Sequence, residues 1–181
     1  MPSSPWGFEH RTGEAMLIAF CGLPGTGKTT LARRLAQERQ ATYLRIDTIE
    51  EALLAAGGAP LVDRGAGYGV AYSVAEENLI LGRTVIADAV NPLKITREAW
   101  RGVARRAAVE LVNVVVICSD SAQHKDRVET RPSGRRGSLW TDVLNRTFEA
   151  TEPASIVIDT AHRTVEQCLA DLAAAVPMRR P

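Results

Sequence analysis

The segment Gly22-Leu23-Pro24-Gly25-Thr26-Gly27-Lys28-Thr29 matches the phosphate-binding P-loop pattern G-x-x-x-x-G-K-[ST] at every fixed position. Glycines in this pattern let the backbone curl, so that successive N–H groups form a nest for a polyphosphate. The lysine reaches the β- and γ-phosphates, and the last hydroxyl ligates Mg²⁺. The P-loop, residues 22–29, together with Thr30, is therefore the predicted nucleotide-binding set, in which Lys28 is catalytic and Thr29 is a metal ligand.

The sequence on either side of the P-loop has the order that this motif requires. Residues 15–21 form an uninterrupted apolar run, which predicts a buried strand. Residues 28–39 carry Leu31, Ala32 and Leu35 at helical spacing, which predicts a helix directly after the loop. Strand, loop and helix together favour a nucleotide site over the alternative, a glycine-rich turn that binds no ligand.

Apolar strands and helical stretches alternate along the chain, which predicts an α/β protein with a parallel sheet. The connections are short, so we expect one domain over residues 15–176, with tails at 1–14 and 177–181. The predicted strands are 15–21, 42–46, 84–88, 111–118 and 155–159. The predicted helices are 28–39, 48–56, 68–82, 93–108, 121–131, 138–149 and 163–175.

The composition argues against a nucleic-acid or membrane surface. Lys and Arg number 22 and Asp and Glu number 21, so neither sign of charge dominates. No apolar run approaches the roughly 18 residues that a membrane span needs, and residues 1–14 lack the apolar core of a signal peptide. The cysteines, Cys21, Cys118 and Cys168, have no metal-binding spacing, which suits free thiols in a reducing cytoplasm.

Two acidic residues at predicted strand ends are candidates for the chemistry, because parallel sheets bind ligands at the carboxyl ends of their strands. Asp47 follows the second strand and could accept the proton of a substrate hydroxyl. Its alternative role is the N-cap of the helix over 48–56. Asp88 ends the third strand in the Walker-B manner, which predicts a contact with Mg²⁺, directly or through water, or else with the substrate.

Two further acidic residues have simpler explanations. Asp120 precedes a helix, and we expect it to cap that helix. Asp159 ends the last strand and is expected to support the loop whose backbone at Thr160 and Ala161 lines an adenine pocket.

Arginines after the fourth strand predict a lid. Arg127 and Arg131 are spaced i, i+4 on one helix face, and Arg135 and Arg136 follow in a glycine-containing break. Guanidinium groups suit the charge that spreads over a transferred phosphoryl group, and a mobile lid would also exclude water. The alternative is a solvated helix face with ordinary salt bridges.

Residues on either side of the third strand have two interpretations. Candidates to flank the acceptor are Tyr68, Tyr72, Glu76 and Asn78 before the strand, and Asn91, Pro92 and Arg97 after Asp88. Tyr72, Glu76 and Leu79 also fit an ordinary helix with one buried face, and the sequence leaves both interpretations open. The histidines show no metal-ligand spacing and are expected at the surface; they are His10, His124 and His162.

Several blocks resemble a known family, the small P-loop kinases often labelled AAA-family ATPase or predicted kinase. They are Gly22 to Thr30, Arg45-Ile46-Asp47-Thr48-Ile49, Ile86 to Pro92, Cys118-Ser119-Asp120 and Arg127 to Arg131. Relatives in this group are gluconate kinase, the zeta toxins, chloramphenicol phosphotransferase and the 5′-polynucleotide kinase domain. The resemblance covers about residues 15 to 175, and only the P-loop block is highly specific.

This resemblance implies a three-layer P-loop NTPase fold, with a five-stranded parallel sheet in the order 2-3-1-4-5 and an arginine-bearing helical lid. It implies ATP and Mg²⁺ as cofactors, with Asp47 activating the acceptor and Arg127 and Arg131 in the lid. Polynucleotide kinases typically continue Asp-x-x-Arg after this acid, whereas the fourth residue here is Glu50. That difference argues against a nucleic-acid acceptor.

The function predicted from these features is transfer of the ATP γ-phosphate to a hydroxyl of a small molecule, by a cytoplasmic monomer or homodimer. A GTPase-type switch is one alternative, but its Asn-Lys-x-Asp guanine motif does not occur in this chain. A ring-forming ATPase would need more chain than the core leaves. A polynucleotide or toxin-type kinase stays open, as does the identity of the acceptor.

Overall fold

The sheet contains five strands, Met16–Cys21 (β1), Thr42–Arg45 (β2), Val85–Asp88 (β3), Glu110–Ile117 (β4) and Ile156–Asp159 (β5). The structure, a computed structural model, describes residues 15–59, 61, 65–130, 139–152 and 154–176. All strand pairs are parallel, and their order is β2-β3-β1-β4-β5. The predicted sheet and strand order are therefore confirmed, with β1 at the centre and the P-loop at its carboxyl end.

Helices cover both faces of this sheet. They are Lys28–Arg39 (α1), Ile46–Ala55 (α2), Ala66–Ile80 (α3), Lys94–Arg106 (α4), Ser121–Glu129 (α5), Trp140–Asn145 (α6) and Val165–Ala175 (α7). The central strand is buried at every position, which is why its sequence is apolar throughout rather than alternating.

Successive residues of β1 point to opposite faces and so join two separate cores. Ile18 and Phe20 pack in the core on the side of α1 and α7. Leu17 and Ala19 pack in the other core, with apolar residues of α3 and α4. The P-loop therefore follows directly after a strand that is packed on both faces, which gives the predicted phosphate site a rigid base.

Two predicted boundaries are wrong in ways that affect the site. The second strand ends at Arg45 and α2 begins at Ile46, so Asp47 lies inside the helix. The helix predicted over 138–149 ends at Asn145. Beyond it the chain runs back to the loop after β3, where the Glu149 N–H donates to Pro92 O at 2.9 Å and the Arg97 guanidinium donates to Ala150 O.

Several predictions lie outside the described residues. These are the two tails and the segment 131–138, which contains Arg131, Arg135 and Arg136. Among the residues that are described, no helix is long and apolar enough to cross a membrane.

Candidate functional site

The P-loop connects β1 to α1 with no intervening residue other than its own. Gly27 is the N-cap of α1 with φ 91°, and Gly25 has φ 85°. Both values lie in the left-handed region, where a side chain would be strained and glycine is not. The Thr26 hydroxyl donates to Leu23 O at 2.9 Å, which closes the turn. The result is a tight loop directly before the positive end of a helix, a geometry that suits an anion.

A pocket opens beside the P-loop, between the start of α1 and the loop after β5. Its lining includes Lys28, Thr29, Arg127, Thr160, Arg163 and Val165. Arg127 donates from Nη1 to Thr160 Oγ1 at 2.8 Å and from Nη2 to Thr160 O at 3.0 Å. The structure thus brings Arg127 to the same pocket as the P-loop lysine, whereas Arg131 lies outside the described residues.

Asp88 is the most buried acid near the P-loop, with a relative exposure of 1%. The Tyr43 hydroxyl donates to its Oδ2 at 2.7 Å, and Arg45 Nε lies 3.8 Å from the same oxygen. Its Oδ1 has no hydrogen-bond partner among the described residues. An unsatisfied buried carboxylate oxygen is costly, so it marks a place where a cation or water is expected to bind.

Tyr43 is held by two groups. The pKa of its hydroxyl is raised well above the ordinary value, first by burial and then by the Asp88 carboxylate. The phenol therefore stays protonated and keeps donating. The Arg33 guanidinium lies over the ring at 5.9 Å from its centroid. Because Thr29 is four residues before Arg33, the two residues share one face of α1.

The assignment of Thr29 and Asp88 as Mg²⁺ ligands stays a prediction from the sequence, and the unpartnered Oδ1 of Asp88 is compatible with it. Mg²⁺ is usually held by one or two carboxylates together with water and substrate phosphates, not by a cage of protein ligands. The described part of the chain contains no group of three or more His, Cys, Asp or Glu side chains able to hold a metal.

Asp47 lies in the first turn of α2, two residues beyond the end of β2, and Arg45 occupies the N-cap position. The alternative role of Asp47 as that N-cap is therefore wrong. The Asp47 carboxylate is 45% exposed and accepts from Arg45 Nη2 at 2.7 Å through Oδ2. Since Arg45 also lies 3.8 Å from Asp88, one guanidinium stands between the two predicted carboxylates.

Tyr68 is placed on the same side as Asp47. Burial, with smaller contributions from the Glu50 and Asp47 carboxylates, raises the pKa of Tyr68 to about 12. Its hydroxyl accepts from the Asn91 N–H at 3.3 Å. The loop after β3 is held in turn by Asn91, whose side-chain amide donates to Phe20 O at 2.8 Å. Tyr68 is therefore fixed in position by the loop after β3, within electrostatic reach of Asp47.

The other residues of the predicted acceptor wall have structural roles. Tyr72 packs edge-on against Trp100 with ring centroids 4.6 Å apart, and Glu76 pairs with Arg106 at 2.7 Å. Asn78 accepts from the Thr42 hydroxyl at the opposite end of the sheet. Tyr72, Glu76 and Asn78 therefore fit the interpretation as helix residues with structural contacts. Of these four residues, Tyr68 is the one that lies near Asp47.

Asp120 and Asp159 support the backbone as expected. Asp120 is the N-cap of α5 and accepts from the Gln123 N–H at 2.7 Å. Asp159 accepts from the N–H groups of Ser119 and Ala161, both at 3.0 Å. These donors lower the pKa of each carboxyl; for Asp159 the contribution of Ser119 is the largest.

His124 is a correction to the sequence analysis, which placed it at the surface. Its side chain is only 6% exposed, and Nε2 lies 2.8 Å from Pro24 O in the P-loop. The reason is that α5 packs directly on the P-loop, so the i, i+4 positions His124 and Val128 face inward.

Sequence reasoning also missed Tyr43, Arg45 and the side chain of Thr160. Tyr43 and Arg45 are two residues apart in a strand, so their side chains lie on the same face of the sheet. That spacing could have been recognised in the sequence. Thr160 had no signal, because its role depends on three segments distant in sequence.

Comparison with known proteins identifies the family and agrees with the fold. Residues 17–138 match the family model described as AAA domain. Over 170 residues the chain is 25% identical to an Aeropyrum pernix protein named "Probable adenylyl-sulfate kinase". This match covers 84% of this chain and 87% of that protein. The fold resembles a gluconokinase from Sinorhizobium meliloti 1021, with TM-score 0.64, 18% identity and coverage of 92% of this chain and 93% of that one. It also resembles the Mycobacterium tuberculosis APS kinase in complex with AMPPNP and APS, with TM-score 0.66, 19% identity and coverage of 90% and 97%.

Proposed function

This chain belongs to the AAA domain family, and from that premise we propose that it is an ATP-dependent kinase. In this proposal it transfers the γ-phosphate of ATP to a hydroxyl of a small-molecule acceptor. The P-loop binds the phosphates of the donor, and the open side next to Asp47 and Tyr68 receives the acceptor.

The observation that carries the proposal is the position of Arg45 between two carboxylates. Asp88 is buried, with one oxygen that lacks a partner among the described residues, as suits a group that faces a metal on the donor side. Asp47 is exposed, as suits a group that meets an incoming substrate. An exposed carboxylate close to the buried one is the group that a kinase needs to orient an acceptor hydroxyl.

Each residue then has a distinct task. Lys28 and the P-loop amides bind the phosphates, and Thr29 and Asp88 would hold Mg²⁺, which offsets charge on the β- and γ-phosphates. Asp47 orients the acceptor hydroxyl and takes its proton. Arg127 adds positive charge beside the P-loop, and Arg131 is assigned the same role from the resemblance. Most of the rate gain would come from positioning and electrostatics.

The relatives suggest which acceptors to try first. One is named as an adenylyl-sulfate kinase and another as a gluconokinase. Adenylyl sulfate and gluconate each carry free hydroxyl groups and an anionic group, so they are suitable opening members of a metabolite library.

The test is acceptor-dependent ADP formation across that library, with Mg²⁺ present. We expect Lys28→Ala to abolish turnover. Asp47→Asn should reduce turnover by about 10²- to 10⁴-fold, the usual range for a general base, while ATP still binds. Asp126→Asn, the same change at an exposed position of α5, is the matched control. Unchanged turnover in Asp47→Asn would show that the base is assigned wrongly, and ADP release that no acceptor accelerates would refute the kinase.

A further inference from the structure

Two carbonyl groups of the P-loop are held by side chains from outside the loop. Pro24 O accepts from His124 Nε2 at 2.8 Å, and Thr26 O accepts from Thr160 Oγ1 at 2.9 Å. Both side chains are buried, with relative exposures of 6% for His124 and 5% for Thr160. Neither residue belongs to the P-loop pattern, and neither has a role in the proposed phosphoryl transfer.

Because the peptide group is planar, a contact that fixes the direction of a C=O also fixes the direction of the N–H that follows it. In a trans peptide, the C=O and the following N–H point in opposite directions. A hydrogen bond that holds Pro24 O outward therefore turns the Gly25 N–H away from His124. In the same way, the bond to Thr26 O turns the Gly27 N–H away from Thr160. Within the residues that the structure describes, neither of these two N–H groups donates to a backbone carbonyl.

Holding these peptides from outside is necessary because they are next to glycines. Gly25 and Gly27 have φ of 85° and 91°. Glycine also populates other regions of φ and ψ at little cost. A peptide that rotated at either position would present a carbonyl oxygen to the bound phosphate instead of an N–H, and the two negative groups would repel.

The protons at both contacts are consistent with this function. The Arg127 guanidinium can only donate, and it donates to Thr160 Oγ1 at 2.8 Å. The single hydroxyl proton is therefore left for a carbonyl, and Thr26 O at 2.9 Å is nearer than Ile117 O at 3.1 Å. A carbonyl oxygen cannot donate, so His124 must carry its proton on Nε2.

We propose that His124 and Thr160 are positioning residues that orient the P-loop peptides, so that the Gly25 and Gly27 N–H groups face the bound phosphates. This inference rests on the proposed function only in requiring that the P-loop binds a polyphosphate. α5 serves as the common support, since it carries both His124 and Arg127, and its Val128 lies against Gly25.

The test measures the dissociation constants of Mg·ATP and of inorganic tripolyphosphate, which has no base or sugar. Thr160→Val and His124→Phe each remove one donor to a P-loop carbonyl and keep the approximate shape of the side chain. Because Thr160→Val also removes the acceptor of Arg127 Nη1, His124→Phe is the cleaner of the two variants. We expect each change to raise both dissociation constants by about three- to tenfold, the value of one hydrogen bond. Thr160→Ser keeps the hydroxyl and should restore binding.

The matched control is Thr42→Val, which removes a hydroxyl that donates to Asn78 at the far end of the sheet. It should leave both constants unchanged. If one of the two test variants does not fold, as judged by circular dichroism, the other carries the test.

Equal weakening of Mg·ATP and tripolyphosphate supports the proposal. Weakening of Mg·ATP alone overturns it, because the effect would then lie in binding of the base and sugar, at the loop that contains Thr160 and Ala161. Unchanged constants in both variants overturn it as well. A wild-type protein that binds neither probe would instead refute the proposed function, and this inference with it.

Discussion

Removing the hydroxyl of Tyr43 tests the environment of Asp88 with the smallest change that the site allows. Tyr43→Phe deletes one oxygen and keeps the ring against α1 and the Arg33 guanidinium. It removes the 2.7 Å hydrogen bond to Asp88 Oδ2. Among the described residues, the carboxylate would then keep only the Arg45 Nε contact at 3.8 Å, which is too long for a hydrogen bond.

The expected cost follows from the charge of the acceptor. Hydrogen bonds to charged groups contribute about 1.5–3 kcal/mol, compared with about 0.5–1.5 kcal/mol for neutral pairs. Asp88 is 1% exposed, so water cannot readily replace the lost donor. We therefore expect Tyr43→Phe to lower the free energy of unfolding by about 1.5–3 kcal/mol.

The assay is urea unfolding at neutral pH, with Tyr72→Phe as the matched control. Tyr72 is also partly buried, but its hydroxyl donates to a neutral acceptor, Thr96 O at 3.2 Å. Its loss should cost about 1 kcal/mol or less. Because a bound cation would stabilise Asp88 in place of Tyr43, the extra cost of Tyr43→Phe should shrink when Mg²⁺ and ATP are saturating, but not with ATP and a chelator.

Two results would refute this reasoning at different points. If Tyr43→Phe costs no more than Tyr72→Phe, the charge and burial of Asp88 are not what make the hydrogen bond strong. If the extra cost is present but Mg²⁺ with ATP leaves it unchanged, Asp88 does not face the metal.

Two further predictions concern the loops around the site. Gly25→Ala places a Cβ 2.5 Å from Val128 Cγ2 at a φ of 85°. We therefore expect the free energy of unfolding in urea to fall by about 2–4 kcal/mol, and adding Val128→Ala should recover part of that loss. Wild-type stability in Gly25→Ala would contradict the tight packing. Donors from Ser119 and Ala161 lower the pKa of Asp159 in the folded state, so its contribution to stability is present above the unfolded pKa of about 3.9 and is lost as the pH falls below it. Asp159→Asn should therefore make stability less dependent on pH below about pH 4, and an unchanged acid profile would count against this carboxylate.

The P-loop and the sheet were predictable because both depend on local patterns. An apolar run such as residues 15–21 indicates a strand that is buried on both faces, and the glycine spacing of the P-loop follows from what a backbone nest needs. The strand order also followed, though by resemblance to a family and not from periodicity. The identity of Asp88 as a buried acid at a strand end was readable for the same reason.

Boundaries next to the site were less predictable. The helix after β2 was predicted to begin at residue 48, but it begins at Ile46, so Asp47 lies in its first turn. The reason is that β2 ends where its pairing with β3 ends, at the Arg45 and Asp88 pair. The helix over 138–149 was predicted too long, because the chain after Asn145 makes its contacts with the loop after β3 and not with its own backbone.

By itself, then, the amino-acid sequence determined the ligand class and the layout of the sheet, since nests, buried strands and amphipathic helices are properties of short segments. Only the tertiary structure decided which side chains serve that ligand site from a distance. His124 is 100 residues from its P-loop acceptor and Thr160 is 134 from its own. Hydrogen bonds act over about 3 Å, so such contacts exist only once the fold has brought separate segments together.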